Sequence, residues 1–205
     1  TKGLSRVRGR PSLWMSTSST RTTIGDLSTP AFVINHHAFV KNCAAIAEIS
    51  KIHNLKLRPH IKTHKTIQGA VLQASGGDVT GFVASTIPEV ELLAQHHHAH
   101  GDRPFHDILY GVPISQKKLE MILSIRRQYP GVTTHIMVDN PLQCDMIESS
   151  YCLDNNEEEE PVSVFIKLDT GYHRAGITCD WHGVDLVQRL INSKHVKLHG
   201  VYSHW

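Results

Sequence analysis

Short apolar runs alternate with amphipathic stretches along most of the chain. Six short runs with apolar residues have the length of strands, and they lie near residues 56–61, 81–85, 107–110, 134–138, 162–168 and 197–202. Apolar positions recur every three to four residues in other stretches, which predicts helices near 36–52, 65–75, 88–98, 116–128, 141–151 and 181–192. Strands that alternate with helices of this length indicate parallel βαβ units.

Residues that favour helix ends mark several of these boundaries. Asn140 and Pro141 offer an N-cap followed by proline at the first helical position, and Asp180 can cap the last helix. Gly76-Gly77 follows the helix predicted over 65–75 and predicts its end. An additional apolar run, residues 31–34, has the character of a short strand before the first helix.

Six strands in this order fit a (β/α) barrel better than an open sheet, because no glycine-rich dinucleotide fingerprint occurs. Such a barrel closes with eight strands. The fold class expected for residues 28–205 is therefore α/β, a TIM-type barrel with about six of its eight strands present. The acidic stretch 154–160 is interpreted as a solvated connection, because crowded carboxylates repel one another and stay hydrated.

The first residues differ from the rest in composition. Residues 1–25 contain no acidic residue, several Arg and many Ser and Thr. This composition predicts a disordered leader over 1–27, with the remnant of an organelle transit peptide as the alternative. Met15 is a plausible true start of translation within it.

Composition also excludes some classes of function. The net charge of the 205 residues is +2 and no Lys/Arg stripe occurs, so no nucleic-acid partner is expected. No apolar run approaches the roughly 18 residues that span a bilayer, so no membrane association is expected. The four cysteines are widely spread, which predicts reduced thiols and a cytoplasmic location.

Sixteen histidines invite a metal interpretation, and the densest group is His96-His97-His98 with His100. Two of them share a helix face and could bind a metal ion adventitiously. Because the group precedes Gly101 at a helix end, a solvated last turn favoured by the helix dipole is the preferred interpretation. No metal ligand is assigned in this chain.

The densest candidate for chemistry is the segment Arg58-Pro59-His60-Ile61-Lys62-Thr63-His64-Lys65. Alternate residues of a strand face opposite sides, so Arg58, His60 and Lys62 are predicted to face the barrel interior. His64 continues this line into the loop if the extended geometry persists. Barrel interiors are usually filled with branched apolar side chains, so a row of potential cations is difficult to explain by packing.

Lys62 is predicted at the carboxyl end of its strand, where barrel enzymes keep their chemistry. Neighbouring cations favour the uncharged amine, which is the form that attacks an aldehyde. The alternative is a solvated strand end with Lys62 as an ordinary surface lysine. Pro59 weighs slightly against a regular strand because it cannot donate a ladder hydrogen bond.

This segment resembles the signature of the D-serine dehydratase and D-threonine aldolase family, which shares its barrel with alanine racemase. In that family the lysine after the R-P-H-x run holds pyridoxal phosphate, which implies Lys62 as the attachment point and His60 as a neighbour of the cofactor. The segment Thr29-Pro30-Ala31-Phe32-Val33-Ile34 and the residues Ser85-Thr86 with Glu89-Val90-Glu91 also resemble family segments.

A second match is Lys167-Leu168-Asp169-Thr170-Gly171-Tyr172-His173-Arg174-Ala175-Gly176, which resembles the alanine racemase run D-T-G-x-x-R-x-G. The resemblance implies that Arg174 contacts the phenolic oxygen of the cofactor. The alternative is a solvated loop arginine. The ending Gly200-Val201-Tyr202-Ser203-His204 resembles the sixth strand of the family, which implies Tyr202 and His204 beside the cofactor; a frayed terminus is the competing explanation.

The resemblance covers residues 27–204 and implies a pyridoxal-phosphate-dependent lyase that converts D-serine, a small-molecule substrate, to pyruvate and ammonia. Alternatives are a D-threonine aldolase, a non-catalytic barrel that binds the cofactor, and an inactive fragment. Family members carry later phosphate-binding loops and a C-terminal β domain with zinc ligands, and neither is expected in this chain. Zinc and a homodimer are therefore expected only for a full-length family protein.

Overall fold

The structure is a computed structural model that describes residues 23–153 and 160–204. The chain divides into two compact units, residues 1–34 and 35–205. The described part of the first unit contains one 3-10 turn, Ile24–Asp26, capped by Thr23. Most of the predicted leader and the acidic connection lie outside the described residues. The strand predicted over 31–34 is wrong: these residues are exposed and no described strand pairs with them.

The second unit alternates strands and helices as predicted. Its five strands form one fully parallel sheet in the order β1-β2-β3-β4-β5. The strands are β1 (Phe82–Ala84), β2 (Asp107–Pro113), β3 (Thr133–Val138), β4 (Val162–Leu168) and β5 (Val196–Ser203). The helices are α1 (His36–Ile52), α2 (Ile67–Ala74), α3 (Ile87–His100), α4 (Gln116–Gln128), α5 (Leu142–Leu153) and α6 (Trp181–Asn192).

The first predicted strand, 56–61, is not a regular strand. Leu57 and His60 form isolated parallel bridges with Val79 and Val83, and Ile61 donates its backbone N–H to the Val83 carbonyl at 3.1 Å. Pro59 explains the interruption because it has no N–H to donate, although its carbonyl accepts from Val83. The segment therefore lies beside β1, where the first strand was expected, and it is held by a few separate hydrogen bonds.

Helix starts follow from side-chain caps. Asn35, Thr66 and Thr86 each accept a backbone N–H from the first turn of α1, α2 and α3. Helix α2 begins two residues later than predicted because Lys65, with φ of 52°, has a left-handed conformation that a helix excludes.

Alternation along the strands produces two apolar clusters. The larger cluster packs between the sheet and the helices, and it includes Ile61, Ile108 and Tyr110. The smaller one lies on the opposite, interior face and contains Val83, Leu109 and Met137, with Phe165 and Tyr202 packed against it. The interior cluster separates two polar regions, one at each end of the strands.

The polar region at the amino ends of the strands is a hydrogen-bonded network, here called the amino-end network. Arg58 forms two hydrogen bonds with Asp107, one of them Nη2 to Oδ2 at 3.1 Å. His135 bridges Asp107 Oδ1 at 3.0 Å and the Ser163 hydroxyl at 2.7 Å. Gly81 leaves room for the pair, since a Cβ there would lie 2.7 Å from Arg58 Nη1. Arg58 thus faces the interior as predicted, within the amino-end network.

Candidate functional site

A cavity of about 370 Å³ opens at the carboxyl ends of the strands. The five residues predicted for the site, His60, Lys62, Arg174, Tyr202 and His204, all line this cavity. The remaining lining residues are Ser85, Gly111, Val112, Pro113, Lys167 and Ala175. Positions from widely separated parts of the sequence therefore meet in one place, although their roles stay predictions.

Lys62 follows the buried Ile61 in a turn, and it is exposed. Its backbone N–H donates to Nδ1 of His60 at 3.2 Å. His64 was expected to continue the interior row only if the backbone stayed extended, and that condition is not met. His64 is buried on the other side, where its Nε2 contacts Gln73 Oε1 at 3.1 Å, because the turn after Lys62 ends the strand alternation.

His60 lies between two partners in the cavity. Its Nε2 is 3.1 Å from the hydroxyl of Ser85, the residue that follows β1. Burial disfavours the imidazolium form, and the charge of Lys62 adds to this effect, so the pKa of His60 is lowered to about 4. His60 is therefore neutral near pH 7, and it can contribute hydrogen bonds and a ring surface, but not a resident positive charge.

Arg174 lies on the loop that follows β4, and Asp169 holds this loop in shape. One oxygen of Asp169 accepts backbone N–H groups from Gly171 and His173, each at 3.0 Å. Gly176 has φ of 117°, and a Cβ there would lie 2.6 Å from the Asp169 nitrogen, so the loop requires glycine at this position. Arg174 itself is exposed, with its guanidinium 4.8 Å from the centre of the Tyr172 ring.

Tyr202 and His204 come from β5 and the residues after it. Tyr202 pairs in register with Lys167 of β4, which places both at the same level of the interior face. Burial raises the pKa of the Tyr202 phenol, and the nearby Arg174 partly opposes this shift. The His204 ring meets the Tyr172 ring edge-on, with 5.7 Å between the ring centres.

Lys167 is a cavity residue that the sequence reasoning missed. It is only 6% exposed, and burial, followed by the charge of Arg174, lowers its pKa. No carboxylate of the described residues forms a salt bridge with it. Strand alternation contained the signal, because Ser163, Phe165 and Lys167 share one face of β4, but Lys167 was considered only as part of a motif.

The arrangement offers a primary amine beside several cations. Lys62, Lys167 and Arg174 line the cavity, and no Asp or Glu does so among the described residues. Such a lining favours an anionic ligand, and its volume lies within the range of small-molecule sites. Elsewhere in the described part of the chain, no group of three or more His, Cys, Asp or Glu side chains could hold a metal ion, the histidines near residue 100 included.

Comparison with known families agrees with this geometry. The model for the alanine racemase N-terminal domain matches residues 34–205. The chain belongs to this family. This confirms the family that the signature segments predicted, and it confirms the barrel class, with five regular strands in place of six.

None of the described helices has both the length and the apolar character needed to cross a membrane.

Two curated relatives of this alanine-racemase-like chain are dehydratases. The D-serine dehydratase of Schizosaccharomyces pombe is 32% identical over 188 residues, which are 89% of this chain and 43% of the relative. The D-threo-3-hydroxyaspartate dehydratase of Delftia sp. strain HT23 is 30% identical over 183 residues, 89% of this chain and 44% of the relative. The chain thus spans less than half the length of these relatives.

Solved structures show the same similarity. A metal-free mutant of D-threo-3-hydroxyaspartate dehydratase has a TM-score of 0.72 and 28% identity, covering 90% of this chain and 45% of that one. The D-threonine aldolase of Filomicrobium marinum has a TM-score of 0.69 at 22% identity, covering 87% of this chain and 44% of that one. The second similarity shows the fold alone.

Proposed function

We propose that the protein is a pyridoxal-phosphate-dependent lyase that acts on D-serine or a related β-hydroxy D-amino acid. The observation that carries the proposal is the position of Lys62 in a cavity lined by cations and by no described carboxylate. The dehydratase relatives support the choice of reaction.

The cavity lining fits the proposed cofactor. Arg174, Lys167 and the Tyr202 hydroxyl offer positive charge and hydrogen bonds to phenolic or phosphate oxygens, and Lys62 offers the amine that an aldehyde requires. When bound, pyridoxal phosphate supplies an aldehyde for amine exchange and an electron-withdrawing ring that takes up the electron pair left at Cα.

The proposed roles of the residues follow from their placement. Lys62 would hold the cofactor through Nζ, and the same amine, as a free base, would remove the Cα proton of D-serine. Loss of the β-hydroxyl with a proton as water, and later addition of water, releases ammonia and leaves pyruvate. Neutral His60 contributes a hydrogen bond and a ring surface near Lys62. Arg174 adjusts the electron distribution of the cofactor through its phenolic oxygen.

The activity is tested with the protein expressed from its complete reading frame, because the described chain spans less than half the length of its relatives. D-serine should give pyruvate and ammonia, and Lys62→Ala should lower the rate by about 10³-fold. Lys56→Ala, which alters an exposed lysine of the same segment, is the matched control and should leave the rate unchanged.

A second candidate is a D-threonine aldolase, which breaks the Cα–Cβ bond after proton removal from the β-hydroxyl. Glycine and acetaldehyde from D-threonine, with no pyruvate from D-serine, would establish this alternative. Cofactor binding with no product from either substrate would indicate a non-catalytic barrel. Zinc as a Lewis acid and a homodimer belong to the proposal only for a protein of the length of the relatives. A cytoplasmic location is proposed for the protein as well.

A further inference from the structure

Five residues, Lys62 among them, are joined by four hydrogen bonds and one backbone turn, here called the Glu89 ring. The Lys62 backbone N–H donates to His60 Nδ1, and His60 Nε2 contacts the Ser85 hydroxyl. The Ser85 backbone N–H donates to Glu89 Oε2 at 2.8 Å, and Lys65 Nζ donates to Glu89 Oε1. The turn from Lys62 to Lys65 closes the ring.

The ring determines which nitrogen of His60 carries the proton. Nδ1 receives the Lys62 N–H, so Nδ1 must be the unprotonated nitrogen of the neutral ring. Nε2 therefore carries the hydrogen and donates to Ser85 Oγ. The same contacts hold the backbone nitrogen of Lys62 in place, which connects the tautomer of His60 to the position of the proposed cofactor lysine.

Glu89 is the residue that holds the far side of the ring. It is 3% exposed, and its two carboxylate oxygens face two donors, Lys65 Nζ and the Ser85 N–H. Burial alone raises the pKa of Glu89, but hydrogen bonds from Lys65 and Ser85 outweigh burial and lower it. The carboxylate is therefore ionised at neutral pH.

Helix capping does not account for these contacts. Thr86 already caps α3 by accepting the Glu89 N–H at 3.4 Å. In a capping box the glutamate would return to the backbone of Thr86. The Glu89 carboxylate instead accepts the backbone N–H of Ser85, the residue before Thr86. It also pairs with Lys65, which ends the turn that begins at Lys62.

We propose that Glu89 is a positioning residue that, through Ser85 and Lys65, fixes the Nε2–H tautomer of His60 and the backbone of Lys62. The structural part of this inference stands on the contacts alone, and its catalytic part rests on the proposed function. Glu89→Gln disrupts this arrangement. The single amide oxygen can accept a hydrogen bond from either Lys65 or the Ser85 N–H, while the NH2 group faces the other donor and cannot accept from it.

The test measures the His60 tautomer by ¹⁵N NMR in the complete protein, with the His60 signals assigned by their loss in His60→Gln. The native protein should show neutral His60 protonated at Nε2 near pH 7. Ser85→Ala and Glu89→Gln should give a mixture of tautomers. Glu91→Gln alters a carboxylate of the same helix that accepts a hydrogen bond from Gln95 and does not belong to the ring, so it should leave the tautomer unchanged.

Steady-state kinetics provide a second test. Glu89→Gln should lower kcat with D-serine about tenfold while KM changes little, which corresponds to about 1.4 kcal/mol. A His60 protonated at Nδ1 in the native protein would overturn the proposal, even if Glu89→Gln does not fold. An unchanged tautomer and unchanged kcat in a folded Glu89→Gln would overturn it as well. A native protein with the Nε2–H form but no lyase activity would contradict the proposed function and not the ring.

Discussion

Two lysines line the cavity at the carboxyl ends of the strands, and their surroundings differ. Lys62 is exposed on a turn, whereas Lys167 is 6% exposed within β4. An amine that must exchange its bond with an incoming substrate benefits from the exposed position on a turn, while a strand position holds its side chain in a fixed place. This difference supports Lys62 as the reacting amine and Lys167 as a group that holds an anion.

Arg174 is predicted to tune the cofactor and not to bind the substrate. Arg174→Lys keeps the charge but loses the planar fork that can form two parallel hydrogen bonds. We expect a shifted absorption band of the bound cofactor and a kcat lowered by about tenfold. Absorption spectra and steady-state kinetics of the purified variant measure both effects. A variant that changes only KM for D-serine would contradict this role.

At the scale of single residues, the sequence predicted those cavity residues that belong to motifs. His60, Lys62 and Arg174 stand in two recognisable runs, and strand alternation correctly places His60 in the interior. Glu89 could not be assigned its role in the same way, because its partner Lys65 lies 24 positions away and its burial depends on how α3 packs. His64 leaves the interior row because alternation applies only while the backbone remains extended, and the sequence does not show where the extended geometry ends.

At the scale of elements, the segment 56–61 before β1 has little backbone pairing, and side-chain contacts help to hold it in place. It has two isolated bridges in place of a regular ladder, and the Arg58–Asp107 pair of the amino-end network attaches it to β2. Pro59 was recognised in the sequence as unfavourable for a strand. The ion pair that compensates was not predictable, because it joins residues 49 positions apart.

Asp107→Asn should destabilise the fold by about 2 kcal/mol, because Arg58 and His135 lose a shared carboxylate partner. Burial alone raises the pKa of Asp107, but hydrogen bonds from His135 and then Arg58 outweigh burial and bring the pKa well below its ordinary value. The carboxylate therefore contributes stability above about pH 4, and this contribution is lost as the pH falls further toward its folded-state pKa.

Urea unfolding of the complete protein at pH 7 and pH 3 measures this contribution. The native protein should lose more stability than Asp107→Asn over this interval, so the difference between them should shrink at pH 3. Asp185→Asn removes an exposed carboxylate paired with Arg189 and serves as the control, with a change near zero. Equal stability of native and Asp107→Asn proteins at pH 7 would show that the amino-end network does not hold the segment.

At the scale of the whole molecule, the order of parallel strands was predictable from the alternation of apolar runs and amphipathic helices. Within the described residues, β5 pairs only with β4, and β1 has only isolated bridges on its other side. The interior apolar cluster of Val83, Leu109 and Met137 is small for a barrel that closes with eight strands. These are features of a partial barrel whose edge strands lack regular partners among the described residues.

Residues 1–205 expressed alone are therefore expected to aggregate or to form a loosely packed state, with no loss of D-serine. Unpaired strand edges and interior apolar side chains would contact water, and the cationic cavity would lack its anionic ligand. Size-exclusion chromatography and thermal melting measure the state of the chain. A soluble chain that melts cooperatively and consumes D-serine would mean that another chain completes the barrel.

The central claim is that Lys62 holds pyridoxal phosphate, and chemical trapping tests it most directly. The complete protein is loaded with the cofactor, reduced with borohydride, digested with trypsin and examined by mass spectrometry. Trypsin does not cut after a modified lysine, so attachment at Lys62 predicts a pyridoxyl peptide that spans residues 57–65. A pyridoxyl group on Lys65 or Lys167, with Lys62 unmodified, would contradict the account.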